Sequence, residues 1–203
     1  MSETSNVKHA DKAMLSLFDA EKMLLDPCIG YNMELRHAQA HSNFYEDDVY
    51  VHVDDILERI REPRQDNLMD KIRVALTTKL RKRFQATKND AKLVLKVFIV
   101  DASEGDEEAR LISPELPSAP VRLCLAWILC LPDGSFVIDG GRVGEFDWNF
   151  LGIFDLLHFR NAERCLSNVL VPKLADKIVK RMRLPTRKSW NNHVWSCSDS
   201  IEF

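Results

Sequence analysis

With 203 residues, 45% hydrophobic and 29% charged, the chain has the make-up of a soluble globular protein, which excludes wholesale disorder. Its formal charge of -3 gives no global attraction to nucleic acid or to an anionic membrane. The longest apolar stretch, 123–131, falls far short of the ~20 residues of a membrane-spanning helix, so no span is expected.

Residues 1–9 are polar and read as a disordered tail without a secretory signal. A helix over 10–25 follows, with Met14, Leu17, Phe18, Leu24 and Leu25 on one broad face and Pro27 at its end. Val49, Val51 and Val53 alternate with Tyr50 and His52, the period-two pattern of a half-buried strand. Asp54 or Asp55 is then expected to cap a short helix through Ile60, with Pro63 as a break. Leu68, Ile72, Leu76, Leu80 and Phe84 form the apolar line of a helix at about 67–84, capped by Asp66. Its last turn carries Lys79, Arg81, Lys82 and Arg83, where the helix dipole favours cations.

The segment 91–101 reads as a strand with one wholly apolar face (Leu93, Leu95, Val97, Ile99) and one that begins charged and becomes apolar. Three prolines and an acidic cluster make 103–120 a loop. In 121–131, bulky Val121, Leu123, Leu125, Trp127 and Leu129 share a face, and Arg122, Cys124, Ala126, Ile128 and Cys130 oppose them. A strand of that kind suits the centre of a sheet whose helices lie on the large-residue side. Pro132-Asp133-Gly134 is a turn signal, and 135–139 returns as a paired strand. After an aromatic stretch at 146–154, a helix at about 159–183 steps through Ala162, Leu166, Leu170, Leu174, Ile178 and Met182. Pro172 should kink it. The polar residues 186–203 read as a C-terminal tail.

The order of elements predicts an α+β fold: a mainly antiparallel sheet with a central hairpin at about 121–139, packed by the helices at about 67–84 and 159–183. Residues 10–185 are expected to form a single domain. In element order alone this resembles the strand–helix–strand units of bacterial envelope assembly proteins, with no sequence motif behind the likeness.

Five cysteines, an odd number without a C-x-x-C pair, point to reduced thiols and a cytoplasmic protein. Cys124 and Cys130, six positions apart on one extended strand, would be roughly 20 Å from each other, too far for a disulfide.

Several groupings bear on chemistry. Glu34, His37 and His41 have helical metal-ligand spacing but lack a fourth ligand, and surface histidines explain them as well, so no metal is assigned. The run from Asp139 through Gly140, Gly141, Arg142 and Gly144 follows a strand, where glycines let backbone amides approach a phosphate. It lacks the spacing of known nucleotide motifs, and a glycine turn or bulge at the strand end accounts for it. Asp101 and Asp139 both end candidate strands and could form a carboxylate pair. No nucleophile elbow and no cofactor motif occurs.

Basic residues collect at 79–88 and again at 173–188. Lys173, Lys177, Lys180 and Arg181 share a helical stripe, with Asp176 the one acid between Lys173 and Arg183. That stripe, with Trp148 as an aromatic anchor, is the candidate partner-binding surface. A solvated helix face is the commoner origin of such a run. The leading reading is a non-catalytic protein-interaction or assembly module with an acidic protein partner. A nucleic-acid-associated protein using the basic C-terminal helix is the alternative. An enzyme with a site near Asp101, Asp139 and Arg142 comes third.

Overall fold

A computed structural model describes residues 15–35, 44–59, 67–84, 91–103, 120–147 and 165–184. In chain order these form α1 (Leu17–Leu25), β1 (Met33–Glu34), β2 (Val49–Glu58), α2 (Leu68–Arg83), β3 (Ala91–Ser103), β4 (Val121–Cys130), β5 (Val137–Asp147) and α3 (Val171–Arg181). The five strands make one mixed, mostly antiparallel sheet in the order β1-β5-β4-β3-β2. Only β2 and β3 are parallel. They are joined through α2, as a parallel pair requires a crossover.

The apolar patterns on β3 and β4 decide where the helices go. Leu93, Leu95, Val97 and Ile99 of β3 and Leu123, Leu125, Trp127 and Leu129 of β4 face one core. That core is roofed by Leu68, Ile72, Leu76 and Leu80 of α2 and by Leu166, Leu174 and Ile178 around α3. The expected helices on the large-residue face are therefore present. On the other face Phe98, Ala126, Ile128 and Cys130 pack beneath Ala20 and Leu24 of α1. Phe18, expected on the inner face of this helix, points outward and is 74% exposed. Ser16 caps α1 by accepting the Asp19 N–H at 3.1 Å.

The hairpin joining β4 to β5 turns at Gly134, whose φ of 70° lies in the left-handed region. Leu131 accepts the Gly134 N–H at 2.9 Å, and the Asp133 carboxylate accepts from Ser135. The returning strand does not stop at residue 139. It continues to Asp147, so Gly140, Gly141 and Gly144 lie inside β5 and not in a loop at its end. Leu35, Met33 and Tyr31 cross them so closely that a Cβ on any of the three would collide.

Two other expectations change. No helix begins at Asp54 or Asp55, because β2 runs unbroken to Glu58 through a bulge between Val53 and Ile56. The extra residue lets both acids leave the strand towards cations, Asp54 to Lys96 at 3.2 Å and Asp55 to Arg73 at 2.9 Å. Before Pro172 the terminal helix passes through a π turn, Leu166–Leu170, in which the Val171 N–H reaches back to the Leu166 carbonyl. Proline has no N–H and crowds the preceding turn, and the wider turn accommodates it. Asp66 and residues 159–164 lie outside the described residues.

α2 and α3 run parallel. Lys71 donates to Ser167, Lys79 pairs with Asp176, and Arg83 donates to the Val179 carbonyl, so contacts rise together along both helices. No helix among the described residues is long and apolar enough to cross a membrane.

Candidate partner-binding surface

Because α2 and α3 are parallel, their C-terminal ends lie side by side. Each end bears partial negative charge from unpaired carbonyls, and cations are favourable there. Two basic segments far apart in sequence therefore meet. Asp176 lies where they join: Lys79 approaches one carboxylate oxygen at 2.9 Å and Lys180 the other at 2.6 Å. Lys180, then Lys79, hold the Asp176 carboxyl below the usual carboxylate range. A lone carboxylate shared by two lysines leaves the junction net positive.

The four stripe residues have different surroundings. Lys173 and Lys180 are exposed, whereas Lys177 and Arg181 are half-buried. Lys177 pairs with Glu145 of β5. Arg181 donates to the Arg142 carbonyl at 3.4 Å and to Asn32 at 3.3 Å. On α2, Arg83 makes a two-pronged pair with Glu46 at 2.7 and 3.0 Å. Arg81 and Lys82 are exposed beside it. Of these cations Arg81, Lys82, Lys173 and Lys180 are exposed, Lys180 while holding Asp176, and Lys177 and Arg181 tie α3 to the sheet. Trp148 lies outside the described residues.

The remaining candidates do not assemble into a site. Glu34 belongs to strand β1, so the helical spacing to His37 and His41 does not hold, and its carboxylate pairs with Arg183 at 2.9 Å. Both histidines lie outside the described residues, among which no group of His, Cys, Asp or Glu is placed to hold a metal. Asp101 pairs in register with Cys124, and Asp139 with Leu129. Five positions of β4 separate them, roughly 17 Å along a strand, so they are not a carboxylate pair. Asp101 accepts the Tyr31 hydroxyl at 2.8 Å. Arg142 points to the face opposite Asp139 and donates to Cys124 Sγ at 3.2 Å and to the Asp26 carbonyl at 3.0 Å. The glycines between them belong to the strand ladder, which removes the loop that a phosphate reading needed.

What sequence reasoning missed was the junction itself. Lys79 and Asp176 are 97 positions apart, and no local signal states that two helices will lie side by side.

No protein-family model matches the chain, and no curated protein matches it. Among solved structures it is similar to a PelC dodecamer from Paraburkholderia phytofirmans, with 12% identity and a TM-score of 0.42, over 70% of this chain and 98% of that one. It is also similar to a minor lipoprotein from Acinetobacter baumannii, with 15% identity and a TM-score of 0.38, over 64% of this chain and 96% of that one.

Proposed function

We propose that the chain is a non-catalytic interaction or assembly module that receives an acidic protein surface across the C-terminal ends of α2 and α3. The observation that carries this is the meeting of two basic segments over the shared Asp176 carboxylate. The inner cations fix the helices, which leaves Arg81, Lys82 and Lys180 at those ends as the contact set, with Lys173 flanking them from the first turn of α3. Arg81 and Lys82 stand exposed beyond the cations that join the helices. Charges of this kind accelerate encounter and make binding salt-sensitive. The thiols of Cys124 and Cys130 are buried in the sheet, which suits a reducing compartment such as the cytoplasm.

The test is binding of poly-L-glutamate to the full chain, measured by fluorescence anisotropy from low to moderate salt. Binding should weaken with salt, and changing Arg81, Lys82 and Lys180 together to Glu should weaken it at least roughly tenfold. Thermal unfolding should change little, because exposed pairs contribute at most about 1 kcal/mol each. A variant that binds as well as the parent at low salt would overturn the proposal. Tighter, salt-dependent binding to single-stranded RNA than to polyglutamate would favour the nucleic-acid reading.

A further inference from the structure

The end of α3 meets the sheet through a buried acid. Asp139, on β5, keeps only 4% of its surface exposed. One of its oxygens accepts the Arg183 N–H at 2.9 Å, and the other accepts the Gly140 N–H at 2.8 Å. Among the described residues no lysine or arginine side chain is bonded to it.

The groups around Asp139 come from each neighbouring element. From the end of α3, the Arg183 side chain turns to Glu34 of β1 at 2.9 Å. Arg181 reaches the Arg142 carbonyl and Asn32. Arg142 itself points to the opposite face of the sheet, towards Cys124. From β4 comes uncharged Trp127, 1% exposed, whose buried indole N–H has no hydrogen-bond partner among the described residues. Three segments are thus held together at one place, with an acid in the middle and no cation bonded to it.

We infer that Asp139 makes the end of α3 a proton-held clasp, closed on β5 and β1 while its carboxyl is neutral and opening more often once it is ionised. Desolvation is the main cause: burial raises this carboxyl to about 6 from an ordinary 3.8, Glu34 pushes the same way, and the N–H groups of Arg183 and Gly140 together with the Arg183 charge oppose them. When the turn opens, the carboxyl meets water and titrates normally. The closed form therefore binds more protons. Its advantage is complete below the ordinary value and is lost as pH rises through the raised one.

Hydrogen exchange of the full chain, corrected for the intrinsic pH dependence of exchange, tests this at amides 181–184. Between about pH 5 and pH 7.5 the opening equilibrium should increase by roughly tenfold, with amides of β4 unchanged. Asp139→Asn, neutral at every pH, should abolish that increase. Glu34→Gln, which removes one of the charges that raise Asp139, should move the midpoint to lower pH. Equal protection at 181–184 at both pH values in the parent would overturn the inference. So would a pH dependence that persists in Asp139→Asn, or an increase shared equally by β4. Should Asp139→Asn fail to fold, an unmoved midpoint in Glu34→Gln would overturn it as well.

Discussion

A methyl group added at Gly141 would lie 2.6 Å from the Met33 carbonyl oxygen and 3.2 Å from the Trp127 indole nitrogen. Neither neighbour can give way cheaply: one is the backbone of β1 and the other a ring held in the core. Gly141→Ala is therefore expected to cost about 1–3 kcal/mol, with β1 displaced first. Urea unfolding together with exchange at residues 32–35 measures both effects. Unchanged stability would show that β1 does not cross β5 where described. The same crossing explains a misreading of the sequence. Gly140, Gly141 and Gly144 looked like a turn because their neighbours in space are more than a hundred positions upstream. Asp54 and Asp55 looked like a helix cap for a related reason, since the bulge that turns them towards Lys96 and Arg73 leaves no trace in local pattern.

Among the helices, α1 is the most lightly held. Only Ala20 and Leu24 are fully buried, so its own cap matters more than it would in α2. Ser16 accepts the Asp19 N–H and donates to the Asp19 carboxylate at 2.6 Å. Ser16→Ala is expected to cost about 0.5–2 kcal/mol of helix stability. Because the packing is slight, the loss should appear as faster exchange over 17–25 while β4 stays protected. Equal loosening of α1 and β4 would mean that the helix is integral to the core. The helices and strands facing the main core were legible, because residues such as Leu76, Leu125, Trp127, Leu129 and Leu166 repeat at the period of their element and all enter one core. The adjacency of α2 and α3 was not, since an apolar stripe records that a helix is buried and says nothing about which neighbour it lies beside. The candidate surface depends on that adjacency, which is why the sequence showed both basic segments and assigned the surface to α3 alone.

For the whole molecule, the thiols test the proposed reducing compartment. Cys124, Cys130 and Cys165 are buried and Cys28 is exposed, and no disulfide joins these four. Burial raises Cys130 to about 11, although the Lys96 charge opposes it. Burial also raises Cys124, although the Arg142 side chain opposes that shift. Such thiols are poor nucleophiles. Intact mass of the native protein without reductant is expected to show no loss from disulfide formation. A deficit of two hydrogens would contradict the proposed reducing compartment.

The strip of chain from α1 through β1 lies along β5, with the Asp26 carbonyl on Arg142 and the Leu35 N–H on the Gly140 carbonyl. The hairpin that forms β5 closes locally, whereas Asp26 and Arg142 are 116 positions apart. At roughly 5–20 residues per second of synthesis, the earlier segment waits on the order of 10 s for the strand it covers. During that wait its apolar residues have no sheet to rest on, and afterwards it must close a loop of 116 positions. A stretch made well before β5 thus finds its place only after β5 exists, like a flap folded over a parcel.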